Sequence, residues 1–89
     1  MSVEIIINHP EISGEEIGIV SEGRVYAIGP ARDLRGLGEL SDDELRQAGH
    51  LIDASLPTWE RRFGDRYLPA VRGFEDYCNK ILGVQVKVL

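Results

Sequence analysis

Six apolar side chains, Leu45, Ala48, Ile52, Leu56, Trp59 and Phe63, recur in steps of three and four. That spacing sets them on one stripe of an α-helix. A helix with such a stripe must bury it against another layer. Immediately upstream stands Ser41-Asp42-Asp43-Glu44. The Ser41 hydroxyl can accept from an orphan N–H of the first turn. Glu44, three residues on, can reach back to the serine's own N–H, which completes a capping box. Asp42 and Asp43 fall where the positive end of the helix dipole favours them. Pro57 lies inside the stripe, removes a donor and crowds the preceding turn. A break or sharp kink is therefore expected there, with the stripe kept in phase across it.

Gly64 is read as the end of that segment, with Asp65 capping a second helix and Pro69 tolerated in its first turn. Tyr67, Leu68, Val71, Phe74, Cys78, Ile81 and Leu82 share one side of this helix. Arg72, Glu75, Asp76 and Lys80 fall outside it, Asp76 and Lys80 in favourable four-residue order. Gly83 suits the C-terminal end. Residues 84–88, Val-Gln-Val-Lys-Val, alternate strictly and read as a final strand with the valines inward.

The first third of the chain has the other period. Residues 3–7, Val-Glu-Ile-Ile-Ile, are rich in β-branched side chains and read as a strand that Asn8-His9-Pro10 ends. Residues 16–21 and 24–28 flank Glu22-Gly23 as a hairpin with a two-residue loop. That loop opposes Val20 to Val25 and Ile19 to Tyr26. Ile17, Ile19, Tyr26 and Ile28 then share the buried face, and Gly18, Val20, Val25 and Ala27 line the other. In the connection 29–40, Leu34, Leu37 and Leu40 are expected to pin a helical turn to the core. The element order is β-β-β-α-α-β. It predicts an α+β fold, a small mostly antiparallel sheet with helices packed on one face, formed by residues 1–89 as a single domain.

Charge divides the chain. Residues 1–44 carry ten acids and three bases, and residues 45–89 carry five acids and seven bases, which together give −5 over 89 residues. Such a balance disfavours direct binding to nucleic-acid phosphates or an anionic membrane. It suits a larger protein or complex with a basic surface, although acidic excess also serves solubility. One cysteine, Cys78, allows no disulfide within the chain. The opening MSVEIIINHPE has neither a basic leader nor a long apolar run, so a cytoplasmic setting is expected.

The reactive residue types do not converge. His50 and Asp53 are three apart on a helix, a spacing common by chance, and His9 precedes a proline in a turn. No metal or cofactor is expected. Cys78 sits on an apolar stripe and reads as core. Gly36-Leu37-Gly38 lacks the Gly-Lys-Ser/Thr ending of a phosphate loop. Adjacent acids such as Glu15-Glu16 and Asp42-Asp43 point in different directions, which is poor geometry for paired acid–base work. Residues 59–67 mix Trp59, Phe63 and Tyr67 with Arg61, Arg62 and Arg66, the side chains that commonly anchor protein interfaces. Arg61 and Asp65 have the spacing of an ion pair.

The expectation is a non-enzymatic protein-interaction module, an inhibitor or adaptor. Its candidate interface residues are Glu15, Glu16, Asp42, Asp43, Trp59, Arg61, Arg62, Arg66 and Tyr67. Two alternatives stand beside it. One is an inhibitor of nucleic-acid-processing machinery whose carboxylates imitate phosphates; in size and charge alone the chain resembles small acidic phage or mobile-element proteins, anti-CRISPR proteins among them. The other is a homo-oligomeric assembly subunit, such as a homodimer, that pairs through the outer sheet face, where Ile6 joins Gly18, Val20, Val25 and Ala27.

Overall fold

The computed structural model describes residues 3–7, 17–28 and 34–89. Three strands, β1 (Val3–Ile7), β2 (Ile17–Ser21) and β3 (Arg24–Ile28), form an antiparallel sheet in the order β1-β2-β3. The hairpin register is the expected one, with Val20 opposite Val25 and Ile19 opposite Tyr26. Its turn residues Glu22 and Gly23 have φ of 51° and 77°. Positive φ at both central residues is the twist-compatible hairpin turn, natural for Gly23 and strained for Glu22.

One sheet face is buried. Ile17, Ile19 and Ile28 are wholly excluded from solvent, Val3 nearly so, and Tyr26 is half-buried. Helix α1 (Asp42–Phe63) packs against β1, and helix α2 (Leu68–Asp76) packs against β3. Leu45, Ala48, Ile52 and Trp59 of the predicted stripe enter the core, and Leu56 and Phe63 pack at its margin. A 3-10 helix, Leu34–Glu39, occupies the glycine-rich connection and buries Leu37, followed by Leu40. Each large aliphatic or aromatic side chain so buried contributes about 1.5–3 kcal/mol. No buried side-chain nitrogen or oxygen among the described residues lacks a partner.

Four local expectations are corrected. α1 does not break at Pro57 but runs through it as one helix. Pro57 and Asp53 both face solvent, so water can satisfy the carbonyl that the proline leaves without a donor. Asp65 does not cap α2: the N-cap is Tyr67, with no side-chain hydrogen bond, and Pro69 sits in the first turn as expected. The second helix continues past Asp76 as a π-helical turn, Tyr77–Leu82. This wider turn rotates Ile81 out of the stripe, leaving it 66% exposed, while Leu82 stays half-buried.

The fourth correction concerns residues 84–88. They do not join the sheet, which has three strands among the described residues. Gly83 closes the π-helical turn in the left-handed region, and Val84 N–H donates to the Cys78 carbonyl at 2.8 Å. The chain then runs back over the helices with Val84, Val86 and Val88 buried, as their alternation required. Side chains replace a partner strand. Asn79 Oδ1 accepts from Val86 N–H at 2.8 Å while Asn79 Nδ2 donates to the Val86 carbonyl at 2.9 Å. Glu75 accepts from the N–H groups of Val88 and Leu89. Alternation reports burial of one side, whereas pairing depends on where the backbone groups find partners.

Gly49 makes room for this segment. A Cβ at that position would stand 2.8 Å from Val86 Cγ1. Alanine normally stabilises a helix by about 1 kcal/mol over glycine, but overpacking costs roughly 1–3 kcal/mol. Gly49→Ala should therefore lower stability in urea denaturation by about 1 kcal/mol, and should raise it when Val86 is also alanine. A stabilising Gly49→Ala in the otherwise native chain would refute the close contact. At the hairpin, Glu22→Asn should raise the urea midpoint by an amount equivalent to about 0.5–1 kcal/mol, because asparagine tolerates the left-handed region.

Candidate functional site

The two ends of α1 present opposite charges. At its N-terminus the capping box forms as expected: Ser41 Oγ accepts from Glu44 N–H at 3.2 Å, and Glu44 Oε1 accepts from Ser41 N–H at 2.9 Å. The second carboxylate oxygen, Oε2, accepts from the Ser21 hydroxyl at the end of β2. Glu44 thus faces inward, 7% exposed, and ties helix to sheet. The Ser21 hydrogen bond, followed by the Ser41 backbone N–H, holds its carboxyl below the ordinary value of 4.5. Asp42 and Asp43, two and one residues earlier, face solvent. Asp43 makes only a 3.4 Å contact to Arg46, its side chain 97% exposed.

At the other end, the aromatic and basic residues of 59–67 part company. Trp59 and Tyr67 are 6% and 8% exposed, with ring centroids 6.2 Å apart, and both belong to the core. Both fill the core positions expected from their apolar stripes, Trp59 on α1 and Tyr67 at the start of α2, and little of either ring is left on the surface for an interface. Arg61, Arg62 and Arg66 remain exposed. The Arg62 guanidinium lies 5.1 Å from the Phe63 ring centroid and that of Arg66 lies 6.0 Å from it. The spaced pair Arg61–Asp65 does not form an ion pair, whereas Asp76–Lys80 does, at 3.9 Å. Glu15 and Glu16 lie outside the described residues, as do His9 and Gly29-Pro30.

The remaining reactive groups stay apart. His50 and Asp53 are exposed on α1, and no group of three or more potential metal ligands occurs among the described residues. A depression of about 80 Å³ beside His50 is walled by Gly49 and Val86 and touches neither Trp59, Phe63 nor Cys78. Cys78 is buried, and desolvation pushes its thiol up to about 11, so the nucleophilic thiolate is suppressed at neutral pH. A shallow groove of about 380 Å³ runs between β3 and the 3-10 helix, walled by Tyr26, Ala27, Leu34 and Gly36. The Arg24–Glu39 ion pair, 2.8 Å, stands at its lip. Gly36-Leu37-Gly38 is spent on that 3-10 helix. No helix among the described residues is long and apolar enough to cross a membrane.

Comparison with family models, with curated proteins and with solved structures finds no match.

Sequence reasoning identified the surface charges at both ends of α1. It did not identify the Ser21–Glu44 bond, because a contact between residues 23 apart leaves no local pattern. The linkage sets a pH test. A carboxyl whose folded pKa is depressed contributes stability that is present above the unfolded value and is lost as pH falls through the folded one. Glu44→Gln should therefore lower the urea midpoint at neutral pH, and the gap from the native chain should close progressively as pH drops below 4.5. A gap independent of pH would remove the proposed ionised Glu44.

Proposed function

We propose that this chain is a non-enzymatic protein-interaction module, an inhibitor or adaptor in the cytoplasm that docks on a larger protein complex through a basic surface of that partner. The observation that carries this reading is the acidic end of α1. A doubly bonded cap fixes the helix start, Glu44 is drawn inward, and Asp42 and Asp43 are left displayed to solvent. A rigid helix end loses little conformational freedom on binding, so complementary charge there converts efficiently into association rate and orientation. The phosphate-imitating version, an inhibitor of nucleic-acid-processing machinery, needs an extended acidic track; the described part of that track is Asp42 and Asp43.

A second reading, a homo-oligomeric assembly subunit, draws support from the outer sheet face. Val25 is 58% exposed and Ile6 42% exposed. Both lean over Gly18, where an added Cβ would meet Ile6 Cγ1 at 2.8 Å and Val25 Cγ1 at 3.3 Å. This makes a small apolar ridge across the three strands.

The immobilised protein should retain a stoichiometric protein partner from its source cells. Retention should fall about tenfold when Asp42 and Asp43 are both changed to asparagine, and should weaken steeply with salt. Retention that survives both changes would exclude the acidic helix end as the contact. Sedimentation at micromolar concentration separates the second reading, since a self-associating sheet face gives a dimer that Val25→Lys dissociates.

A further inference from the structure

Phe63, Arg62 and Arg66 form a feature distinct from the acidic end. α1 stops at Phe63, and Gly64, at φ 64°, turns the chain so that Arg66 returns toward the same ring that Arg62 approaches. The ring is half-buried at the core margin, four residues along the same helix from buried Trp59. Two guanidinium groups are thereby gathered at one aromatic platform, with exposed Arg61 adjacent in sequence.

Arg24, Arg46 and Lys80 each have a carboxylate partner. Arg61, Arg62 and Arg66 have none, although Glu60 and Asp65 alternate with them in sequence. Exposed Arg72 and Lys87 also lack an ion pair, but among the described residues only here do two unpaired guanidinium groups approach one ring. Like charges held together without a counter-charge form a site of positive potential, and a guanidinium has a planar fork matched to a carboxylate. In a chain of net charge −5 such a cluster opposes the overall balance.

We infer that Arg62 and Arg66, gathered at Phe63, form with exposed Arg61 beside them in sequence a docking surface for an acidic protein segment. This deepens the interaction-module reading and rests on it, giving the module a second contact of opposite charge sense at the far end of α1. A protein segment is favoured over nucleic acid because the nearby aromatics that would stack bases, Trp59 and Tyr67, are buried. Glu60 and Asp65 flanking the cluster would also repel a continuous phosphate backbone. A carboxylate-rich segment can place its acids on the guanidinium forks and turn its spacer residues toward the two flanking acids.

The probe is a fluorescein-labelled Glu-Gly-repeat peptide of about ten residues, titrated with the full chain in low salt, against a labelled single-stranded oligonucleotide of equal charge. The peptide should bind, with affinity falling at least about tenfold between roughly 0.05 and 0.3 M salt. Arg62→Gln with Arg66→Gln should weaken it about tenfold, and Phe63→Leu, which keeps the apolar contact but removes the platform, should weaken it severalfold. Trp59 fluorescence checks that each variant stays folded. Absence of peptide binding, equal binding by the folded glutamine variant, or tighter binding of the oligonucleotide would each overturn the inference. Because the Asp42/Asp43 experiment reads a partner captured at the other helix end, failure here leaves that reading standing, and failure there leaves this result interpretable.

Discussion

A long amphipathic helix must be covered along its whole apolar stripe, and the described strands of this protein are too short to do it. At 1.5 Å per residue, the helix Asp42–Phe63 extends about 33 Å. A five-residue strand extends only about 17 Å. The remainder of the apolar stripe needs other cover. Tyr67, the N-cap of α2, packs against Trp59 at one end. The segment after Gly83 supplies Val86, seated against Gly49, nearer the other. The irregular features of the second half follow from this shortfall. The π-helical turn brings the chain to its reversal, and Asn79 and Glu75 satisfy the backbone of a segment with no strand beside it.

What the sequence made legible was local and periodic. The helical stripe, the capping box and the hairpin register each depend on residues within one or two turns of one another, and each appears as expected. The failures were nonlocal. Residues 84–88 alternate because one side is buried, but alternation cannot say whether the backbone meets a strand or an asparagine. Pro57 carries a local penalty whose outcome was set by its solvent-facing position, which the residue type does not encode. Trp59 and Tyr67 combine the composition of an interface anchor with positions on apolar stripes, and their burial follows the stripes. The pairing of Ser21 with Glu44 joins two elements that only the tertiary fold brings together.

The charge asymmetry seen in the sequence changes meaning once geometry is known. The totals divide acid from base between halves of the chain. The structure divides them along a single helix and then sorts bases that are already neutralised from those that are not. That second division carries more information, since an exposed pair such as Arg24–Glu39 contributes little to stability and presents little net field. An unpaired cluster projects its charge outward over about 8 Å in physiological salt.

Both ends of α1 also favour the helix itself. Acids near its N-terminus and arginines near its C-terminus complement the macrodipole, and each such charge contributes about 0.3–1 kcal/mol. Dipole stabilisation alone therefore explains why Asp42, Asp43, Arg61 and Arg62 have the signs they do. It does not explain Arg66, which lies beyond the last turn of the helix and still converges on Phe63. Nor does it require two guanidinium groups on one ring, an arrangement whose mutual repulsion opposes folding. The part of the cluster that helix stability leaves unexplained, Arg66 at the Phe63 ring, is the part on which the proposed docking surface rests.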